Sequence, residues 1–158
     1  KGFGSGITAP ESGIVLHNRG AGFVLTDGHP NCLEGGKRPL HTIIPGMLVD
    51  KGRATLPFGV MGGAYQPVGH VHLVTNLLDF GMDVQEALDS PRAFPGAYGI
   101  EVEKAISPDV RAGLAARGHA VHDALLPFGG GQAIAIDWDG GALIGGSDPR
   151  KDGAATGY

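Results

Sequence analysis

The segment "TIIPGMLVDKGRATLPFGVMGG", residues 42–63, decides much of the fold. Its two apolar runs are separated by a polar, glycine-containing turn at residues 50–52, which predicts a β-hairpin. We place Pro45 at a sheet edge or a bulge, because proline cannot donate a hydrogen bond to a neighbouring strand. The segment ends in the adjacent glycines Gly62 and Gly63, which allow a tight turn or a close approach of the backbone to another group.

Helical spacing of apolar residues begins after this segment. It starts at Gln66 and predicts a helix with a C-terminal stop at Gly81. Because apolar residues occupy most of its faces, we expect this helix to be buried. Asp83 followed by Glu86 has the capping-box pattern and predicts a second, short helix. Ser107, with proline directly after it, predicts the start of a third helix.

The remaining strands are predicted from short runs bounded by turn residues. Helices follow one another instead of following every strand, which favours an α+β fold with antiparallel sheets over a doubly wound parallel sheet. We see no internal linker, so we interpret residues 1–158 as a single unit. The predicted strands are "SGIVLHNRG" (12–20), which ends in a turn, "GIEVEK" (99–104), "AVHDA" (120–124) and a hairpin within "GQAIAIDWDGGALIGGSDPR" (131–150) that turns at residues 139–141.

Composition and charge exclude several classes of protein. A net charge of −4 over 158 residues gives no hint of nucleic acid binding. No apolar run approaches the length of a membrane helix, so we expect no membrane segment. The lone Cys32 cannot form an internal disulfide, and a catalytic role is disfavoured because "HPNCLEGG" has the composition of a loop.

His70 and His72 form an H-x-H pair, a pattern that can indicate a metal ion. The pair lies in the predicted helix, where residues two apart point in different directions. A metal site would also need a third ligand, and the sequence marks none. We therefore expect no metal and no other cofactor.

The glycine clusters do not match known nucleotide loops. Neither "GVMGGAY" nor "PFGGGQ" has the spacing of a dinucleotide or phosphate loop. The N–H groups of Gly62 and Gly63, just before a helix, suit a developing oxyanion. From the pattern alone, a bulge or tight turn is the favoured interpretation. No serine lies in a G-x-S-x-G setting, so no nucleophile stands out.

Six segments of the chain together resemble the gamma-glutamyltransferase (gamma-glutamyltranspeptidase) family of N-terminal-nucleophile hydrolases. They are "GFGSGI", "ESGIVLHNRGAGF", "GGKRPL", "TIIPGMLV", "GVMGGAYQPVGHVHLVTNLLDFGMDVQEALDSPR" and "GGSDPRKDGAATGY", and they cover nearly the whole chain. The resemblance implies part of an αββα sandwich with antiparallel sheets. It also implies a precursor that cuts itself into a large and a small subunit, whose new N-terminal threonine cleaves an amide and transfers the acyl group to water or an amine.

The resemblance also places the chain within that precursor. The family nucleophile opens a T-x-H-x-S segment upstream of the match to "GFGSGI", and no threonine here has that setting. Residues 1–158 therefore look like a C-terminal segment of the small subunit that lacks the nucleophile strand. We expect it to be inactive when isolated and to be completed by the large subunit and the N-terminal part of the small subunit. A non-catalytic fragment or binding module is the alternative for the isolated chain.

Four positions are matched to family site residues. The resemblance makes Gly62 and Gly63 the oxyanion-hole pair, which reverses the preference from pattern alone. His41 and Thr42 fall where the transpeptidases have two serines that hold the substrate carboxylate. Thr42 keeps one hydroxyl, whereas His41 is a departure and has an ordinary structural histidine as its alternative.

Two further departures concern the acyl group of the substrate. Gly22 replaces the acidic residue that takes the α-amino group of a γ-glutamyl moiety, so that ammonium would lack a partner. Arg19 falls where a glutamine is usual, and its guanidinium suits a carboxylate. The chain thus looks closer to the acylase-like members, with a small-molecule amide as substrate and a glutaryl or cephalosporin acylase as the alternative activity. An exposed surface arginine is the alternative for Arg19.

Overall fold

A computed structural model of the chain describes residues 4–157. These residues fall into two compact units, one ending at Ile43 and the other beginning at Ile44. The sequence-based interpretation of residues 1–158 as a single unit stays a prediction.

The first unit contains little regular secondary structure. Thr8 forms an isolated antiparallel bridge with Val15, and Val24 forms an isolated parallel bridge with Cys32. A short 3₁₀ helix spans Arg19–Gly22. Turns and single bridges therefore organise this unit, which has no extended sheet within its described residues.

The strand predicted within residues 12–20 is wrong, whereas the turn predicted at its end is present as the 3₁₀ helix. Gly13 adopts a left-handed conformation with φ of +68°, and the 3₁₀ helix already begins at Arg19. Only a few residues remain between that turn and the helix. Their extended backbone makes short contacts, such as the Leu16 N–H donating to the Ile7 carbonyl at 2.9 Å. The apolar pattern of the segment resembles a strand, but the chain turns before a ladder can form.

The second unit contains two sheets. The strands within the described residues are β1 Pro45–Asp50, β2 Arg53–Met61, β3 Ala93–Gly96, β4 Gly99–Val102, β5 Val121–Asp123, β6 Gly130–Asp137 and β7 Ala142–Ser147. The first sheet has the strand order β1-β2-β6-β7 and is antiparallel throughout. In the second sheet, of order β3-β4-β5, the β3–β4 pair is antiparallel and the β4–β5 pair is parallel.

The predicted first hairpin is confirmed. Lys51 and Gly52 both have positive φ, +48° and +80°, as the tight turn of a twisted hairpin requires. Pro45 is the first residue of β1, an edge strand, where its missing N–H costs no hydrogen bond. A bulge between Leu48 and Val49 interrupts the register. The hairpin brings the end of β2, and with it the glycine pair, to the start of the next helix.

The three predicted helices are confirmed in their positions. Asp83 and Glu86 form the expected capping box at the second helix. The Ser107 hydroxyl accepts the Val110 N–H at the start of the third helix. The helices are α1 Gln66–Leu78, α2 Val84–Asp89 and α3 Pro108–Ala116.

Burial of α1 differs from the prediction. Val71 and Leu78 are each 66% exposed, so the expectation of a helix buried on most faces is wrong. The buried face of α1 contains small and polar residues, so the spacing of apolar residues alone does not reveal which face is buried. Its buried positions recur every three or four residues, at Gln66, Gly69, Leu73 and Asn76.

The hydrophobic core of the second unit joins the four-stranded sheet to α1 and α2. Leu73 of α1 and Leu88 of α2 are almost fully buried there. Both helices contact β2, β6 or β7. Across residues 4–157, every helix is too short or too polar to traverse a bilayer. The core residues are Leu56, Val60, Tyr65, Leu73, Val84, Ala87, Leu88 and Ala133.

We expect His72 to make the folded state less stable at mildly acidic pH. Burial and the neighbouring Arg92 lower the pKa of His72 in the folded protein. The unfolded chain therefore binds the proton more readily, and the free energy of unfolding falls as the pH drops below about 6.5. His72→Gln should reduce the fall in stability measured by urea unfolding between about pH 7.5 and pH 5.5.

The matched control for this prediction is His119→Gln, because His119 lies on an exposed turn after α3. That variant should retain the wild-type dependence of stability on pH. An equal fall in stability for wild type and His72→Gln would contradict the assignment.

Candidate active site

The glycine pair lies between β2 and α1 in a conformation that favours glycine. Gly62 has φ of +141° and Gly63 has φ of +61°. A Cβ atom at Gly62 would lie 2.8 Å from the Cα of Gly129, whereas the space beside Gly63 is open. The glycine pair therefore combines the two features that the sequence allowed: a tight turn and the close approach of another backbone segment.

Hydrogen bonds to the carbonyl groups orient the peptide planes of the pair. The Gly62 carbonyl accepts the Tyr65 N–H at 3.2 Å, and the Gly63 carbonyl accepts the Gln66 side-chain amide at 3.1 Å. Because the C=O and N–H of a trans peptide point in opposite directions, the bond to the Gly62 carbonyl directs the Gly63 N–H away from the turn. Within residues 44–157, no acceptor receives the N–H of Gly62 or Gly63.

The first unit brings two predicted substrate-binding residues together. The Arg19 guanidinium donates to the Thr42 hydroxyl, and the Arg19 backbone N–H donates to the His17 ring at 3.0 Å. Arg19 is half-buried and Thr42 is exposed. None of the ion pairs within residues 4–43 involves Arg19. The Arg19 guanidinium is therefore held by Thr42, and no carboxylate within residues 4–43 forms an ion pair with it.

His41 and Gly22 occupy loops of the same unit. The exposed His41 ring accepts the Ile43 N–H at 3.2 Å, which ties its Nδ1 to the local backbone. The Gly22 carbonyl accepts the Asn31 side-chain amide at 2.8 Å. Position 22 thus supplies a backbone carbonyl and no side-chain charge.

The two histidines of the H-x-H pair diverge as predicted. The His70 ring lies 2.8 Å from the Ile44 carbonyl oxygen and 2.7 Å from the Gln66 carbonyl oxygen. The His72 ring instead lies 3.2 Å from the Asn76 amide. Among residues 4–157, no three His, Cys, Asp or Glu side chains are placed to hold a metal ion.

A buried ionic cluster lies behind the glycine pair, and the sequence did not predict it. We use this term for Arg92, Glu103, Asp148 and Arg150. Asp148 is fully buried and accepts Arg92 Nη2 at 2.6 Å, while Glu103 accepts two guanidinium bonds from Arg150 at 2.7 and 2.5 Å. The backbone N–H of Gly131 donates to the Asp148 carboxylate at 2.7 Å.

The environment keeps both carboxylates of the ionic cluster charged. Burial alone would raise the pKa of Asp148, but hydrogen bonds from the Arg150 and Gly131 backbone and the charge of Arg92 lower it. Burial likewise opposes ionisation of Glu103, but the hydrogen bonds from the Arg150 side chain and from the Phe128 and Arg92 backbone, with the charge of Arg150, together outweigh it, so that the pKa of Glu103 is also lowered. The cluster is therefore a set of complementary charges with satisfied carboxylates.

The ionic cluster reaches the glycine pair through one segment of backbone. Arg92 donates to the Phe128 carbonyl at 2.7 Å, and Glu103 accepts the Phe128 N–H at 3.0 Å. The next residue, Gly129, is the one packed against Gly62. Sequence reasoning missed this connection because arginine and aspartate are usually exposed, so their positions carry no burial signal.

The architecture defines the class of protein. An α+β unit with a four-stranded antiparallel sheet covered by α1 and α2 confirms the predicted part of an N-terminal-nucleophile hydrolase αββα sandwich. A family model described as Gamma-glutamyltranspeptidase matches residues 1–158. The chain belongs to the gamma-glutamyltranspeptidase family.

Three similar proteins show how much of a family member the chain represents. It is 40% identical to the glutathione hydrolase-like YwrD proenzyme of Bacillus subtilis, over 98% of this chain and 31% of that protein. It matches a cephalosporin acylase structure from Bacillus halodurans with a TM-score of 0.77 and 42% identity, over 98% of this chain and 30% of that one. It matches a gamma-glutamyltranspeptidase from Pseudomonas nitroreducens, complexed with L-DON, with a TM-score of 0.74 and 25% identity, over 99% of this chain and 88% of that chain. The chain thus spans about a third of the curated relative, at 31% of its length.

Proposed function

We propose that this chain is part of an enzyme that cleaves γ-glutamyl or related acyl amides and transfers the acyl group to water or an amine. The observation that carries the proposal is the pair of N–H groups on Gly62 and Gly63, which have no acceptor within residues 44–157. In a family whose chemistry is acyl transfer, such donors suit the oxygen that becomes negative when the amide carbonyl is attacked.

The nucleophile of this reaction is a threonine outside residues 1–158. Its hydroxyl attacks the amide carbonyl, with its own α-amino group as the base, and the amine leaves. Gly62 and Gly63 stabilise the tetrahedral oxyanion before and after the acyl-enzyme. Water or an amine then takes the acyl group from the threonine.

The position of the chain within the enzyme is a further part of the proposal. Residues 1–158 form the C-terminal segment of the small subunit, partnered by its N-terminal part and the large subunit. Two observations support this: the chain covers 88% of one chain of a solved transpeptidase but 31% of a relative called a proenzyme. Exposed apolar residues on α1, Val71 and Leu78, suit burial against those partners.

The acyl pocket is formed by Arg19, Thr42 and His41. Arg19 has no ion pair within residues 4–43, so its charge can meet the terminal carboxylate of an acyl donor while Thr42 adds a hydroxyl. Gly22 offers no carboxylate to a substrate ammonium. We infer that glutaryl-type donors are preferred over γ-glutamyl donors. The 42% identity to a protein called a cephalosporin acylase supports this second candidate activity.

The proposal is tested by assaying the full-length protein with glutaryl and γ-glutamyl p-nitroanilides. We expect turnover, with kcat/KM about tenfold higher for the glutaryl compound, equivalent to about 1.4 kcal/mol. Turnover of neither anilide would overturn the enzymatic proposal. Faster turnover of the γ-glutamyl compound would overturn only the assignment based on Gly22.

Arg19→Gln should lower kcat/KM for the glutaryl anilide by about 10- to 100-fold, mainly through KM. A hydrogen bond to a charged group contributes about 1.5–3 kcal/mol, and the amide of glutamine keeps the polarity without the charge. Steady-state kinetics of the full-length protein measure the effect. Butyryl anilide, which has no carboxylate, should be turned over equally by both forms.

The matched control is Arg38→Gln, because Arg38 is an exposed arginine of the same unit. It should leave the glutaryl kinetics unchanged. Equal losses for Arg19→Gln and Arg38→Gln, or equal losses on both anilides, would contradict the role of Arg19.

A further inference from the structure

Tyr65 is the most deeply buried aromatic residue beside the glycine pair. It is 3% exposed and follows Gly63 by two positions. Its ring is stacked on Phe128, with centroids 5.5 Å apart and an interplanar angle of 21°, and meets the edge of Phe94 at 5.5 Å. We call these three rings the aromatic cluster.

The turn and the segment after Phe128 are packed onto this ring. A Cβ atom at Gly129 would lie 2.9 Å from the Tyr65 ring and would collide with the carbonyl oxygen of Met61. A Cβ atom at Gly69 would lie 2.7 Å from the same ring. The absence of side chains at these positions lets the Tyr65 ring lie directly against two backbone segments.

These contacts restrain the two peptide groups that carry the Gly62 and Gly63 N–H groups. The Met61 carbonyl belongs to the same peptide as the Gly62 N–H, so the packing of Gly129 on that oxygen sets the direction of the Gly62 donor. The Gly62 carbonyl belongs to the same peptide as the Gly63 N–H. The bond from the Tyr65 N–H to that carbonyl sets the direction of the Gly63 donor.

We propose that Tyr65 is a positioning residue for the oxyanion donors: its ring, stacked on Phe128, keeps Gly129 against Met61 and keeps its own N–H on the Gly62 carbonyl. Both peptide groups, and with them both donors, are thereby held in place. This inference rests on the proposed function of the glycine pair.

The hydroxyl of Tyr65 is not part of this role. It has no hydrogen-bond partner within the described residues. Burial raises the pKa of the hydroxyl, so it stays neutral at neutral pH and bears no charge toward the site. The ring, and not the hydroxyl, should therefore carry the effect.

The test compares two ligands of the full-length protein, of which only one places an oxygen at the Gly62 and Gly63 N–H groups. A boronic acid with a terminal carboxylate forms a tetrahedral adduct with a hydroxyl nucleophile and presents an oxygen to the donors. Glutarate occupies the acyl pocket without forming that adduct. The ratio of the two inhibition constants measures oxyanion stabilisation separately from binding of the acyl group. The size of the acyl-enzyme burst gives the concentration of active sites, and kcat is expressed per active site.

We expect Tyr65→Leu to weaken boronic acid binding and to lower kcat per titrated site by about 10- to 100-fold, as for a small misplacement of catalytic groups. The glutarate inhibition constant and KM should stay close to wild type. Tyr65→Phe, which keeps the ring, should have the kcat and the boronic acid binding of the wild type. If Tyr65→Leu yields no folded protein, Phe128→Leu, which removes the stacked partner ring, should shift the ratio in the same direction.

Phe58→Leu is the matched control, because Phe58 is a half-buried aromatic residue of β2 whose ring contacts the His70 ring at a tilt of 49°. It should leave the ratio of inhibition constants unchanged. An unchanged ratio in Tyr65→Leu or Phe128→Leu, or an equal shift in Phe58→Leu, would overturn the inference. If wild type turns over neither anilide and does not bind the boronic acid, the proposed function fails instead.

Discussion

Gly62→Ala should lower kcat of the full-length protein for a glutaryl anilide by about 10²–10³-fold, with a much smaller change in KM. The added Cβ atom would lie 2.8 Å from the Gly129 Cα, and the φ of +141° is unfavourable for any residue with a side chain. The turn must shift to relieve both conflicts, which moves the donors away from the oxyanion. In the proposed function Arg19, Thr42 and His41 hold the acyl group, so its ground-state binding should persist. Steady-state kinetics per titrated site measure the change.

Gly81→Ala provides a control for backbone strain alone. Gly81 has φ of +66°, close to the +61° of Gly63, and neither position has an atom within 4 Å of an added Cβ. Gly81 follows α1, whereas the glycine pair precedes it. Gly63→Ala and Gly81→Ala should therefore lose similar stability, but only the first should lower kcat. Full kcat in Gly62→Ala, or an equal loss in Gly81→Ala, would contradict the oxyanion assignment.

Asp148→Ala should lower the free energy of unfolding by about 3–5 kcal/mol. Asp148 is fully buried, and its partner Arg92 is 2% exposed. Removing the carboxylate leaves a guanidinium buried beside an unpaired backbone N–H of Gly131. The segment at Phe128, which Arg92 holds, should loosen as well. Urea unfolding of the full-length protein measures the loss.

The surface pair between Arg111 and Asp123 offers a matched comparison. Its atoms are 2.6 Å apart, as in the Arg92–Asp148 pair, but its side chains are 26% and 66% exposed. Asp123→Ala should therefore cost only about 0–1 kcal/mol. Similar losses of unfolding free energy for Asp148→Ala and Asp123→Ala would show that burial does not determine how much the Arg92–Asp148 pair contributes to stability.

Local sequence patterns predicted the elements whose signals lie within a few residues. The capping box of Asp83 and Glu86, the cap at Ser107 and the hairpin turn at Lys51 and Gly52 all depend on contacts between near neighbours. The placement of Pro45 at an edge or a bulge followed from its missing N–H alone, and the structure has it on an edge strand. Such features can be predicted without knowing how the chain packs.

Long-range pairing could not be predicted in the same way. Strand β3, with Pro95 inside it, gave no alternating pattern, and the parallel pairing of Ile100 with Val121 joins strands separated by α3. Val71 in α1 is exposed although valine is usually buried, and Arg92 is buried although arginine is usually exposed. Their environments depend on partners distant in the chain.

The candidate site was found by resemblance and acquired its geometry from the structure. The sequence located Gly62 and Gly63 but could not give the direction of their N–H groups, which depends on bonds and packing from Tyr65 and Gly129. It named Arg19 and Thr42 separately, and the fold of the first unit joins them by a hydrogen bond.

The central claim is that Gly62 and Gly63 hold the oxyanion of an amide-cleaving enzyme. It is tested most directly by a crystal structure of the full-length protein with the carboxylate-bearing boronic acid bound to its nucleophile. We predict an oxygen of the tetrahedral adduct at about 2.7–3.1 Å from both the Gly62 and the Gly63 nitrogen atoms. An adduct whose oxygen is bound by other donors, with the two glycine N–H groups directed elsewhere, would contradict the claim.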